Sequence, residues 1–252
     1  MATDLPGTPI TFREWFKGPP RAHGEVLEDR TVSFLELFYD LVFVVLIAQI
    51  AHTLAEDVSW VGVRNFSIVF ALIWIAWLNG TFYHELHGRE DGRNRTYIFV
   101  QMALLVVLAV YASHAADDVD DGRGFAIVYP ILLTFIAGQW YSLRRYDSPA
   151  MAALTLRYVA GMAVTIALVL ASAFVDSPDT RLALWTAAIV ITVAGMSVQL
   201  FRSDPELEDA VRITESAAER FGLFTIIVLG DGAGAATGLG EAVDDADDDL
   251  AQ

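Results

Sequence analysis

The chain has 252 residues, 55% of them hydrophobic and 12% aromatic, with 32 acidic against 16 basic residues, a formal net charge of -16 and no cysteine. A mean hydropathy of +0.46 is too high for a soluble domain. The missing cysteines exclude disulfides, thiolate metal sites, iron-sulfur clusters and cysteine nucleophiles, and the lack of a basic patch with interleaved aromatics argues against nucleic acid as a partner.

Residues 1–32 read as a cytoplasmic segment in which Phe12, Trp15 and Phe16 alternate with Arg13 and Lys17, a composition suited to the headgroup region of an anionic membrane. The first twenty residues lack an apolar core, so the first spanning helix is expected to direct insertion itself. From Ser33 onward, seven stretches of roughly twenty apolar residues follow, each long enough to cross a bilayer. They are Ser33 to Leu54, Val63 to Tyr83, Tyr97 to His114, Gly124 to Leu143, Ala152 to Phe174, Leu182 to Phe201, and Phe221 to about Gly240. The predicted fold class is all-α, a polytopic transmembrane bundle of about seven spans over residues 33–240, with an acidic tail at 241–252. The seventh stretch is persuasive as a helix only in its first half, before Gly230 and the glycines after it.

Arginine placement sets the orientation, because short loops rich in Arg and Lys stay cytoplasmic. Arg13, Lys17, Arg21 and Arg30 precede the first span, Arg89, Arg93 and Arg95 follow the second, Arg144 and Arg145 follow the fourth, and Arg202, Arg212 and Arg220 lie between sixth and seventh. The opposite loops hold Arg64, Arg123 and Arg181. A cytoplasmic amino terminus in a cell membrane follows, with the acid clusters Glu56-Asp57, Asp117-Asp118 and Asp120-Asp121 outside and, if the seventh segment crosses, the carboxyl tail outside as well. Such acid enrichment suits concentrated salt, so a salt-loving prokaryote is the expectation, an acidic partner-binding surface the alternative.

Ionisable groups inside spans are costly and mark functional sites. Glu36 and Asp40 stand one turn apart on the first helix, roughly 6 Å in height. Two like charges there repel, so one binds a proton or a cation sits between helices, with Arg157, Arg220 or the loop arginines available. Glu36 alternatively serves the dipole at the helix start. Asn79 and Tyr83 share a face of the second span at the same depth. His84 and His87 are spaced i,i+3 rather than the i,i+4 of zinc proteases, and are expected to be interfacial and ordinarily solvated; no metal is expected. Gln49 and His52 lie on the face of the first helix nearly opposite Glu36 and Asp40, which predicts that helix to be central. Gln139 and Gln199 are expected to bond between helices. Asp231, flanked by glycines about 18 Å beyond Glu219 and Arg220 if the path is helical, reads either as an acid in an interrupted helix lining a cavity or as a helix end at an interface.

Two stretches, Ser33-Phe-Leu-Glu-Leu-Phe-Tyr-Asp-Leu-Val-Phe-Val-Val-Leu-Ile-Ala-Gln-Ile-Ala-His52 and Glu219-Arg-Phe-Gly-Leu-Phe-Thr-Ile-Ile-Val-Leu-Gly-Asp231, resemble the bacterial low temperature requirement protein A family. The resemblance points to Glu36, Asp40, Glu219, Arg220 and Asp231, the last in place of the family's glutamate. It implies a multi-pass inner-membrane protein associated with growth in the cold, and it supplies no mechanism. Family members are longer, with further spans after the second motif.

Three functions follow as expectations. The first is a transporter-like or channel-like protein with Asp40 and Asp231 as proton or cation groups and Arg220 as counter-charge. The second is a seven-helix sensory or interaction protein without retinal, since Lys17, the only lysine, precedes the first span. The third, a membrane enzyme, lacks a visible catalytic motif. No cofactor is expected. The expected partners are membrane lipids and a small solute or ion, with a homo-oligomer left open.

Overall fold

A computed structural model describes residues 33–56, 58–87, 92–146, 149–201, 221–226, 228 and 230. Glu219, Arg220 and Asp231, the aromatic and basic amino-terminal segment, and the acidic tail lie outside these residues. Six long helices follow one another: α1 (Phe34–Glu56), α2 (Trp60–His87), α3 (Gly92–Ala112), α4 (Val119–Leu143), α5 (Pro149–Ser172) and α6 (Pro178–Phe201). Each contains a stretch long and apolar enough to cross a membrane, and residues 221–226 are helical as well. Among the described residues there is no strand.

The distribution of polarity is that of a bundle dissolved in lipid. Valines 45, 106, 110 and 190 are largely exposed, while Glu36, Asp40, Asn79, Gln101 and Gln139 are buried. Water would penalise that arrangement by the full apolar area left outside, whereas hydrocarbon accepts it and leaves polar groups to find one another between helices. Hydrocarbon also holds no partner for a bare peptide group, so these segments must be helical. The protein is a multi-pass membrane protein.

Helix α1 packs on α2, α3 on α4, α4 on α5 and α5 on α6, while α1 also meets α3, α2 meets α4 and α6, and α4 meets α6 across the bundle. The most enclosed span is α4, with 61% of its apolar stretch buried against 44% for α1. This corrects the expectation that α1 is central. The second polar face of α1 does not need enclosure: the Gln49 amide donates to the Ala109 carbonyl at 3.0 Å, and exposed His52 lies 3.7 Å from the Glu56 carboxylate. Both sit near a helix end, where polar tips reach water.

At the acidic end of the bundle the three arginines assigned to loops belong instead to helices, close to where each begins. Arg123 on α4 pairs with Asp176, and with Asp120 at 3.8 Å. Arg64 on α2 lies 3.5 Å from Asp179 of α6. Arg181 on α6 is fully buried; one terminal nitrogen donates to the Asp118 carbonyl at 2.8 Å, and the other lies 3.1 Å from the carbonyls of both Val119 and Val175. Asp118 caps α4, accepting from the N–H groups of Asp120 at 2.8 Å and Asp121 at 2.9 Å.

The Asp121 N–H, more than any other group, holds the Asp118 carboxyl below the usual carboxylate range. A folded-state pKa below the unfolded one stabilises the protein above the unfolded value, about 3.9, and that stabilisation disappears as pH falls through the folded value. Asn also caps helices well but carries no charge. Asp118→Asn is therefore expected to flatten the acid limb of a thermal-stability profile while leaving neutral-pH stability nearly unchanged; an unaltered acid limb would count against the charge.

Candidate functional site: a buried polar layer around α2

The layer begins at the first turn of α1. Ser33 precedes the helix and its hydroxyl accepts from the Glu36 N–H at 3.3 Å, a typical serine cap. Glu36 then occupies the turn where the helix dipole favours an anion, and it is 4% exposed. One turn further in, Asp40 accepts a hydrogen bond from the Trp77 indole nitrogen at 2.9 Å. The ring brings a large apolar surface and one donor, which lets a carboxylate remain inside the bundle.

The helical period divides α2 into two working faces. Trp77, Gly80 and His84, spaced i, i+3 and i+7, lie towards α1. Gly80 permits the approach: a Cβ there would lie 2.1 Å from the Tyr39 hydroxyl. Tyr39 donates to the Gln101 side-chain oxygen at 2.7 Å, and the Gln101 amide donates to Gln139 at 3.2 Å. This hydrogen-bonded chain joins α1, α3 and α4. His84 lies 3.1 Å from the Asn94 side-chain oxygen, with its ring edge-on to Tyr39 at 5.6 Å.

The other face carries Asn79 and Tyr83 towards α4 and α5. The Tyr158 hydroxyl donates to the Asn79 side-chain oxygen, the Asn79 amide donates to the Ile75 carbonyl at 2.6 Å, and the Trp140 indole donates to the Asn79 backbone carbonyl at 3.3 Å. The Tyr83 ring stands edge-on to Trp140 at 5.8 Å, and His87 meets the same indole at 5.4 Å. Both histidines are fully buried, 0% and 1% exposed, which corrects the expectation of ordinary solvation. The reason is the length of α2, which runs on to His87 and carries both rings between neighbouring helices.

The sequence-derived candidates thus separate. Asp40 meets one face of α2, Asn79 and Tyr83 lie on the other, and Glu36 is buried one turn before Asp40 on α1. Arg157 is exposed on α5 and does not join the buried carboxylates. Gln49 and His52 belong to the opposite end. Gln139 bonds between helices, whereas the side chain of Gln199 lies outside the described residues.

Sequence reasoning passed over Trp77, Tyr39, Gly80 and Gln101. Trp77 also receives the second motif: Phe224 stacks on its indole with centroids 4.0 Å apart, and Phe221 meets it edge-on at 4.9 Å. Asp40, from the first motif, therefore touches the indole on which the phenylalanines of the second are packed. A signal was present in the sequence, because Trp77, Gly80 and His84 fall on one stripe, but an apolar neighbourhood gave it no contrast.

Residues 31–250 match the family of bacterial low temperature requirement A proteins, a match that includes both motifs. An uncharacterized protein of Rhizobium meliloti (strain 1021) is 29% identical over 214 residues, covering 82% of this chain and 51% of that protein. The chain thus spans about half the length of the curated relative it matches. No solved structure matches. With one family matched over most of its length and the two motifs meeting at a single tryptophan, the chain belongs to the bacterial low temperature requirement A family.

Proposed function

We propose that this is a transporter-like or channel-like protein of the cell membrane, with its amino terminus in the cytoplasm, in which Asp40 exchanges a proton or small cation. Arg220 supplies the counter-charge and Asp231 a second acid. The observation that carries this reading is Asp40 itself: a carboxylate 8% exposed inside an apolar bundle, hydrogen-bonded to Trp77, which in turn supports the second motif. An ionisable side chain within a membrane span is a functional candidate by default. Arg220 immediately precedes Phe221, so the family arginine is tethered to a ring that already packs on this indole.

The Tyr39, Gln101 and Gln139 chain fits the same reading, since it joins three helices beside the acid and can set its surroundings. Reconstituted into proteoliposomes loaded with a pH-sensitive dye, the wild-type protein should dissipate an imposed proton or alkali-cation gradient. Asp40→Asn, which preserves shape and can still accept from Trp77, should abolish most of that flux. Equal flux through both proteins would remove Asp40 from the mechanism. A single stoichiometric protein partner, recovered in the absence of any flux, would favour the sensory or interaction class instead.

A further inference from the structure

At the acidic end of the bundle, far from Asp40, a cavity of about 260 Å³ opens between α1, α2 and the turn that follows α3. Its floor is apolar and well buried, formed by Ile50, Val69 and Ala112. Phe66 supplies an aromatic wall, braced by stacking on Phe70 with centroids 5.7 Å apart. Asp117 is the one ionisable residue that lines the cavity, and it is exposed.

The neighbouring charges are already engaged. The Arg64 guanidinium donates to the Asn65 side-chain oxygen at 3.1 and 3.2 Å and lies 3.5 Å from Asp179, so it is held by other acceptors. His52 lies against Glu56. An apolar floor, an aromatic face and one carboxylate are the elements that recognise an alkylated ammonium, which has carbon surface to bury and a diffuse charge to place over a ring. A volume below the roughly 300 Å³ at which drug-sized sites begin restricts the ligand to a compact one.

We propose that this cavity binds a compact organic cation of the quaternary-ammonium class, its carbon body against Ile50, Val69 and Phe66 and its charge next to Asp117. The site is independent of the Asp40 layer and stands whether or not that layer moves ions.

The test is calorimetric titration of the protein in neutral maltoside micelles, which carry no ammonium group, with benzyltrimethylammonium, benzyl alcohol and benzenesulfonate. Saturable binding of the cation, with no measurable binding of the anion, is expected. Val61 lines the cavity and is exposed, so Val61→Arg, which places a long cationic side chain there, should block the cavity without disturbing the core and should abolish binding. Asp117→Asn should weaken binding by about threefold to fivefold, as expected for an exposed charge. The proposal is overturned if the cation shows no saturable binding, if benzyl alcohol or benzenesulfonate binds as tightly, or if Val61→Arg binds like the wild type.

Discussion

Gly80→Ala lowers the stability of the bundle by about 2 kcal/mol, the usual cost of forcing a methyl group into a filled core. The added carbon would lie 2.1 Å from the Tyr39 hydroxyl and 3.1 Å from the ring carbon that bears it. Tyr39 cannot swing aside, because its ring is fully buried, lies edge-on to Phe43 at 5.1 Å and is bonded to Gln101. Either α1 and α2 separate or the Tyr39 to Gln101 hydrogen bond breaks. Tyr39→Phe alone removes that bond and leaves a buried acceptor on Gln101, a loss of about 1 kcal/mol. It also removes the atom that the new methyl group meets first. The double variant should therefore be less destabilised than the sum of the two singles, a coupling that a double-mutant cycle reads directly. Denaturant titration in mixed micelles measures all four proteins, and additive losses would show that Gly80 and Tyr39 do not meet as described.

The second large effect is expected at the other end. Arg181→Met should cost about 3 kcal/mol, because it leaves the carbonyls of Asp118, Val119 and Val175 without the donors that reach them in a buried setting. Arg181→Lys should recover little, since one ammonium on a flexible stem cannot reproduce the planar fork that reaches three carbonyls. Gly122→Ala should behave like the arginine variants, as a Cβ there would fall 1.7 Å from an Arg181 nitrogen and 2.7 Å from the Ala115 carbonyl oxygen. All three proteins should melt early, which a thermal-stability measurement in detergent reads directly. Wild-type melting of Arg181→Lys would mean that charge alone, and not the fork, ties α4 to α6.

Asp40 and Arg181 differ in how far the sequence exposes them. Asp40 was legible because an acid inside an apolar block has no ordinary explanation in lipid. Arg181 was not, since it follows Asp176 and Asp179 and reads like any loop cation beside acids. Only the packing of α6 against α4 shows that its guanidinium points inward. His84 and His87 were misread for a related reason: a basic loop follows them in the sequence, but the helix carries them past the point where water would be expected.

The sequence by itself determined that the chain is a set of membrane-crossing helices, where six of them run, and which acids lie within them. A bilayer offers no hydrogen bonds to a bare backbone, so a long apolar run has one available conformation, and local composition suffices to name it. What only the tertiary structure decided is which faces meet. Gln49 and Gln101 are the same residue type in neighbouring helices, yet one is exposed and the other completely buried. Helices that are apolar all round carry no stripe to distinguish the neighbour's side from the lipid's. The meeting of Asp40 with Trp77, of Tyr39 with the backbone at Gly80, and of Arg181 with three carbonyls is set by shape, and shape exists only once the helices are together.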